Sequence, residues 1–167
     1  MGRQMLRSLI LICLLTFAVP TNSSAQIVVL GASNTAGYGV GPSAAYPAVL
    51  EELLRAKGRP MSVSNAGISG DTTGGMLARL SSAAPDGTKI VILQIGGNDR
   101  RKVISEAEAA ANRSEIHKRL HARGIRTIEA DSYVWSALRS GLRLPDGQHL
   151  TTEGHRKVAQ QLAASIR

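Results

Sequence analysis

Three times in this chain a short strand-like run stops at or near glycine, and the loop that follows precedes a helix. This recurrence is what most narrows the folds open to it. The first run, Ile27 to Leu30, is stopped by Gly31 and followed by Ala32-Ser33-Asn34-Thr35-Ala36-Gly37. The second, Met61 to Asn65, gives way to a glycine-rich loop from Ala66 to Gly75, with a helix running on through Leu80. The third, Lys89 to Ile95, runs straight into Gly96-Gly97-Asn98-Asp99. The apolar first and third runs read as buried strands, the pattern of a parallel sheet, and Met61 to Asn65 as a short strand between them. Ile125 to Ala130 reads as a fourth strand.

Helical patterns fill the intervals. Ser43 to Lys57 carries an apolar stripe, with Ser43 as N-cap and Gly58 as stop. Ser105 and Glu108 form a capping box for a helix through Arg123, and Thr151 to Ile166 reads as the last helix. Asp131 to Gln148 reads as mostly loop, with a helical turn near Tyr133 to Leu138. Strands alternating with helices imply right-handed crossovers and a doubly wound α/β sheet in the order 2-1-3-4. That order sets the loops after strands one, two and three side by side at the carboxyl edge, where such sheets bind ligands.

The first 25 residues have a different character. Arg3 and Arg7 precede an apolar stretch from Leu9 to Val19, and Ser23-Ser24-Ala25 offers small residues at a cleavage site. This is the pattern of a secretory signal peptide, too short for a comfortable membrane span, and it leaves residues 26–167 as one domain in the periplasm or the medium. Cys13, the single cysteine, lies inside that leader, so the mature chain is expected to have neither a disulfide nor a thiol nucleophile. The formal charge of +8 falls to about +6 once Arg3 and Arg7 leave, which favours anionic surfaces or substrates, phospholipid headgroups among them. Aromatic residues are 3% of the chain and none interleave with a basic run, so a nucleic-acid partner is not expected.

The three loops offer distinct chemistry: a hydroxyl at Ser33, a backbone N–H at a glycine of the second loop, and a side-chain amide at Asn98. A nucleophile and oxyanion donors are what acyl transfer requires. Asp146-Gly147-Gln148-His149 supplies the missing base, because an Asp three residues before a His can accept from Nδ1 while Nε2 faces the serine.

These residues together resemble the SGNH, or GDSL-type, hydrolases, near their secreted acyl-CoA thioesterase and lysophospholipase branch. Gly31-Ala32-Ser33-Asn34 matches the family's Gly-Asp-Ser-Leu block, and Asn65-Ala66-Gly67-Ile68-Ser69-Gly70-Asp71-Thr72 its second block. Gly96-Gly97-Asn98-Asp99 and Asp146-Gly147-Gln148-His149 match the third and last. The resemblance implies a three-layer α/β/α, flavodoxin-like fold with a short parallel sheet, leaving room for a fifth short strand. It implies Ser33 as nucleophile, Asp146 and His149 as the rest of a triad, and Gly70 and Asn98 as oxyanion donors beside the Ser33 amide. Gly67 is the alternative to Gly70. The activity implied is hydrolysis of small ester or thioester substrates, including anionic lipids, through an acyl-enzyme, with neither cofactor nor metal. Two departures stand out. Ala32 replaces an acidic residue that would help order the neighbouring loops, and the interval from Asn98 to Asp146 is short, which predicts a missing helix and strand and a longer, looser loop carrying acid and base.

Other readings stay open at this level. The same constellation serves carbohydrate O-deacetylases, and Ser33 to Gly37 loosely resembles the phosphate loop of a flavodoxin-like binding module; a non-catalytic relative is a third. His117 and His121 read as a solvated helix face, His155 as structural or exposed, and Asp71 and Asp99 as capping or loop-bonding residues. Trp135 and Tyr133 are candidates to wall an acyl pocket, and Arg100, Arg101 and Lys102 to meet an anionic headgroup at its rim.

Overall fold

The computed structural model of the chain describes residues 26–166; the expected leader, Cys13 included, lies outside the described residues. The four expected strands form β1 (Ile27–Gly31), β2 (Val63–Gly67), β3 (Ile90–Leu93) and β4 (Arg126–Glu129). They pair in parallel in the order β2-β1-β3-β4, with Ile27 level with Val63 on one side and Ile90 on the other. No fifth strand joins the sheet among the described residues. Past β4 the chain turns at once into a helix, and Arg143 and Leu150 make only an isolated antiparallel bridge.

Eight helices complete this part of the chain: α1 (Ser33–Ala36), α2 (Tyr46–Ala56), α3 (Thr73–Ala78), α4 (Leu80–Ala83), α5 (Asn98–Arg101), α6 (Glu106–Ala122), α7 (Asp131–Arg139) and α8 (Thr152–Ser165). Alternation along the central strands decides which helix packs where. Ile27 and Val29 of β1 meet Leu50 and Leu54 of α2, Val134 and Leu138 of α7, and Val158 and Leu162 of α8. Val28 and Leu30 point the other way, toward Met76, Leu80, Ile116 and Leu120 of α3, α4 and α6. The result is a three-layer α/β/α sandwich whose two central strands are buried on both faces. Truncating a fully buried leucine of such a core, Leu162 for instance, typically costs about 2–5 kcal/mol.

Three local expectations need correction. Ser43 does not cap α2: the helix starts at Tyr46 with Ala45 as N-cap and Pro47 in its first turn. The Tyr46 N–H, one of the donors a helix start leaves unpaired, donates instead to Nδ1 of His155 on α8 at 3.2 Å. Nor is the stretch after β4 mostly loop, because Asp131–Arg139 is helical, with Val134, Ala137 and Leu138 buried at i, i+3, i+4 spacing. Its start carries no side-chain cap, since Ala130 is the N-cap residue, and so the usual helix-entry signal is missing. Third, the segment bearing Asp146 and His149 is not loose. Leu144 N–H donates to the His149 carbonyl at 2.7 Å, Gly147 N–H to the Leu144 carbonyl at 2.9 Å, and Thr151 N–H to the Leu142 carbonyl at 3.1 Å.

Candidate active site

Ser33 is the first residue of α1, the single helical turn separated from β1 by Ala32 alone. The approach is sterically narrow. A Cβ added at Gly31 would lie 2.0 Å from Thr35 Oγ1 and 3.0 Å from Gln94 Cβ, so the strand can end this close to its neighbours only on glycine. From the other end of the chain comes the turn Asp146 to His149. Gly147 stands there at φ +75°, a left-handed conformation that admits glycine readily, and lets the turn close on itself.

The structure brings Ser33, His149 and Asp146 together in one hydrogen-bonded row. His149 Nε2 lies 2.9 Å from Ser33 Oγ, and His149 Nδ1 lies 2.7 Å from Asp146 Oδ2. The other Asp146 oxygen accepts the backbone N–H groups of Gln148 at 2.8 Å and His149 at 3.0 Å. Those contacts, the Gln148 N–H foremost and the His149 ring next, hold the Asp146 carboxyl well below the usual range, at about 2. Asp146 is therefore ionised throughout the neutral range and acts only as an acceptor.

Two residues that support this row were not singled out from the sequence. The side chain of Asn34 spans the gap between the ends of the chain. Its Nδ2 donates to the Gln148 carbonyl at 3.1 Å and its Oδ1 accepts the Leu150 N–H at 2.9 Å, pinning the Asp146–His149 turn from both sides. The available signal was that Asn34 is an amide where the Gly-Asp-Ser-Leu block has an apolar residue. Tyr38 lays its ring on the His149 imidazole, with centroids 4.3 Å apart, while 54% of the residue remains exposed.

The second loop and β2 are cross-bonded to β1 and α1. Ile68 N–H donates to the Gly31 carbonyl at 3.1 Å, and Asn65 Nδ2 to the Thr35 carbonyl at 2.9 Å. Asn98 opens α5, and its Nδ2 donates to the Asp71 carbonyl at 2.8 Å, which ties the third loop to the second and leaves the amide one further N–H. The Gly67 N–H is engaged by Asn65 Oδ1 at 2.9 Å. Gly70 sits at φ +79° in the second loop and is not among the residues lining the cleft described next.

Ser33, Asn98 and His149 share that cleft with Gln94, Arg101, Val134, Trp135 and Leu138. Trp135 forms part of its wall and is 49% exposed, whereas Tyr133 packs against the core beneath. A second hollow continues from it past Gly96, Gly97, Arg101 and Trp135 to Arg100 and Arg113. The remaining polar residues have structural partners. Asp71 pairs with Arg79 at 2.8 Å, and buried Asp99 accepts from the Thr73 hydroxyl at 2.7 Å. His117 faces Glu129 at 3.3 Å, and His155 is fully buried.

Known proteins share this architecture. Residues 29–167 match the GDSL-like lipase/acylhydrolase family. Esterase TesA of Pseudomonas aeruginosa is 32% identical over 118 residues, 70% of this chain and 59% of that protein. The crystal structure of AlinE4, an SGNH-hydrolase family esterase, is 33% identical with a TM-score of 0.58 over 83% of this chain and 70% of that one. The psychrotrophic esterase EstA from Pseudoalteromonas, at 19% identity, shares the fold with a TM-score of 0.75 over 86% of this chain and 97% of its own. This chain spans about half the length of the curated relatives it matches. With the family's sheet order, and a match reaching from β1 through α8, the chain belongs to the GDSL-like lipase/acylhydrolase family.

Proposed function

We propose that this chain is a serine hydrolase that cleaves carboxylic esters or thioesters of small acyl or lipid substrates through an acyl-enzyme. The observation that carries the reading is the row Ser33 Oγ, His149 Nε2, His149 Nδ1, Asp146 Oδ2, with its serine end in the cleft. In this mechanism Ser33 Oγ attacks the acyl carbonyl carbon and its proton passes to His149 Nε2. Asp146 holds Nδ1–H and stabilises the imidazolium. The oxyanion is taken by the Ser33 N–H and the second N–H of Asn98, which line the cleft, and the Gly70 N–H is assigned as third donor from the family resemblance alone. The imidazolium then protonates the leaving alcohol or thiol as the acyl bond to it breaks. In the second half-reaction His149 takes a proton from water, hydroxide adds to the acyl-enzyme, and Ser33 leaves with that proton restored.

For the substrate, Arg100 and Arg101 support an anionic group set a short way from the scissile bond, because they line the hollow that continues from the cleft. Among the described residues no helix is long and apolar enough to cross a membrane. Export to the periplasm or medium, as one hydrolase domain over residues 26–167, rests on the leader pattern alone. Intact mass of the recovered protein checks it, and a mass including Met1 to Ala25 would reject it.

A fluorophosphonate probe tests the catalytic reading without the substrate. The expected result is one covalent adduct on Ser33, absent in Ser33→Ala. An unlabelled wild type that is folded by circular dichroism would overturn the proposal.

A further inference from the structure

Beneath the turn that presents Ser33 runs a buried polar chain from α2 to the start of α7. The Tyr46 hydroxyl lies 2.7 Å from Thr35 Oγ1, and the Thr35 hydroxyl donates to Gln94 Oε1 at 3.3 Å. The same Gln94 oxygen accepts the Ala32 N–H at 3.3 Å. The opposite end of the amide, Nε2, donates to Asp131 Oδ1 at 3.4 Å, and Asp131 Oδ2 accepts the Ile95 N–H at 2.9 Å. Thr35 and Tyr46 are completely buried and Gln94 is 6% exposed, so water cannot readily substitute for a missing partner.

The direction of this chain is set at one end. An amide has a donating and an accepting end that look alike in shape, and only its partners decide which way round it sits. Ala32 and Thr35 both need an acceptor from Gln94. An ionised carboxylate on the far side can only accept, so it holds Nε2 toward itself and leaves Oε1 for the nucleophile turn. Ala32 cannot do this job with its own side chain, which is a buried methyl among Val28, Leu30 and Met76.

We propose that Asp131 is a positioning residue for Ser33: it fixes the orientation of the Gln94 amide and, through the Ala32 N–H and the Thr35 hydroxyl, the geometry of the turn that presents the nucleophile. This assignment rests on Ser33 being the nucleophile. Asp131 makes no contact with a reacting atom in the mechanism above.

Two substitutions invert the polarity of the chain and test it. In Asp131→Asn, one carboxylate oxygen becomes an NH2 group, which must face either the Ile95 N–H or Gln94 Nε2. Donor then meets donor, or Gln94 flips and turns its own NH2 on the Ala32 N–H. Adding Gln94→Glu repairs the pattern, because the introduced carboxylate accepts from Ala32, Thr35 and the new amide at once. We expect D131N to lower kcat and the rate of fluorophosphonate labelling by roughly 10- to 100-fold, a range typical of a nucleophile displaced by a fraction of an ångström to 1 Å. KM for p-nitrophenyl acetate should change far less, and the Ala32 amide proton resonance should shift upfield. The double variant D131N/Q94E should regain most of the kcat and return the Ala32 resonance. A D131N with wild-type kcat and an unmoved Ala32 resonance overturns the assignment. So does a double variant that folds by circular dichroism yet stays as slow as D131N, or one that fails to fold. If D131N alone fails to fold, the double variant decides by itself. If the wild type is not labelled, the hydrolase reading fails separately, and the Ala32 resonance alone decides whether Asp131 orients Gln94.

Discussion

The two sides of the Ser33–His149 contact are built in different ways. On the serine side, the turn grows out of a strand buried on both faces, and its polar groups are tied into a largely buried network of Thr35, Gln94 and Asp131. On the histidine side, the Asp146–His149 turn lies at the surface, away from the sheet. It is closed by its own backbone bonds and held from outside by Asn34. Damage on the serine side should therefore cost stability together with activity, while damage on the histidine side should cost activity alone. The two histidines of the C-terminal segment show the same contrast within six residues: His149 belongs to the surface turn, and His155 is sealed between α8 and α2.

The sharpest way to break this comparison is to exchange the two histidines' fates. His149→Ala should lower ester hydrolysis by about 10³-fold or more, a loss expected when one member of a triad is removed. Fluorophosphonate labelling should vanish with it, and the melting temperature should hardly move. His155→Ala should behave in the opposite sense, keeping the chemistry in whatever fraction stays folded. An inactive His155→Ala that melts like wild type would undo the assignment of both residues.

Acid separates them again. Burial, with the nearby His149 charge second, pushes His155 down from 6.5 to about 4. Between those values the unfolded chain binds a proton that the native state excludes, so stability is fully present above about 6.5 and declines as pH falls toward 4. The loss should be on the order of 3 kcal/mol over that window. Urea midpoints from pH 8 to 4.5 measure it, and His155→Asn, which keeps an acceptor for the Tyr46 N–H without the ionisation, should flatten the curve. Equal slopes in the two proteins would show that another group carries the acid sensitivity.

Asn98→Ala addresses a donor that also ties two loops. A loss of about 10²-fold in kcat is expected for an oxyanion donor. The smallest effect is expected at Asn34→Ala, which frees the histidine turn without removing a reacting group. A fall of about 10-fold in kcat, with KM and melting temperature near wild type, would fit a group that only aligns the base. An Asn34→Ala that melts much earlier would place this side chain among the structural ties and blur the contrast between the two sides.

The parts of the molecule that were legible in the sequence are those whose signal is local. Ile27 to Leu30 and Ile90 to Leu93 are apolar because both faces are buried, and the glycines beyond them mark the carboxyl edge. The Asp146–His149 spacing is a local geometry as well, since one turn closes it. What could not be read was settled by partners far along the chain. Ser43 carries a good capping side chain, but the start of α2 is satisfied by His155, 109 positions away. Thr35, Gln94 and Asp131 look like ordinary surface residues until the sheet order stacks them. The helix α7 starts without a side-chain cap because Ala130 occupies the N-cap position, and the carboxylate of its first residue, Asp131, accepts from the distant Ile95 N–H.

Ser33 and His149, its proposed base, are 116 residues apart in the chain, and His149 lies just before α8, the last helix among the described residues. During synthesis the strand that leads into Ser33 is made long before His149 leaves the ribosome. On the proposed mechanism an unfinished chain holds a serine hydroxyl with nothing to take its proton until the segment leading into α8, which packs with α2 in one core cluster, is made. Reactivity toward acyl groups, on that mechanism, waits on the segment that carries His149, so the nascent chain is spared that chemistry until this segment is made.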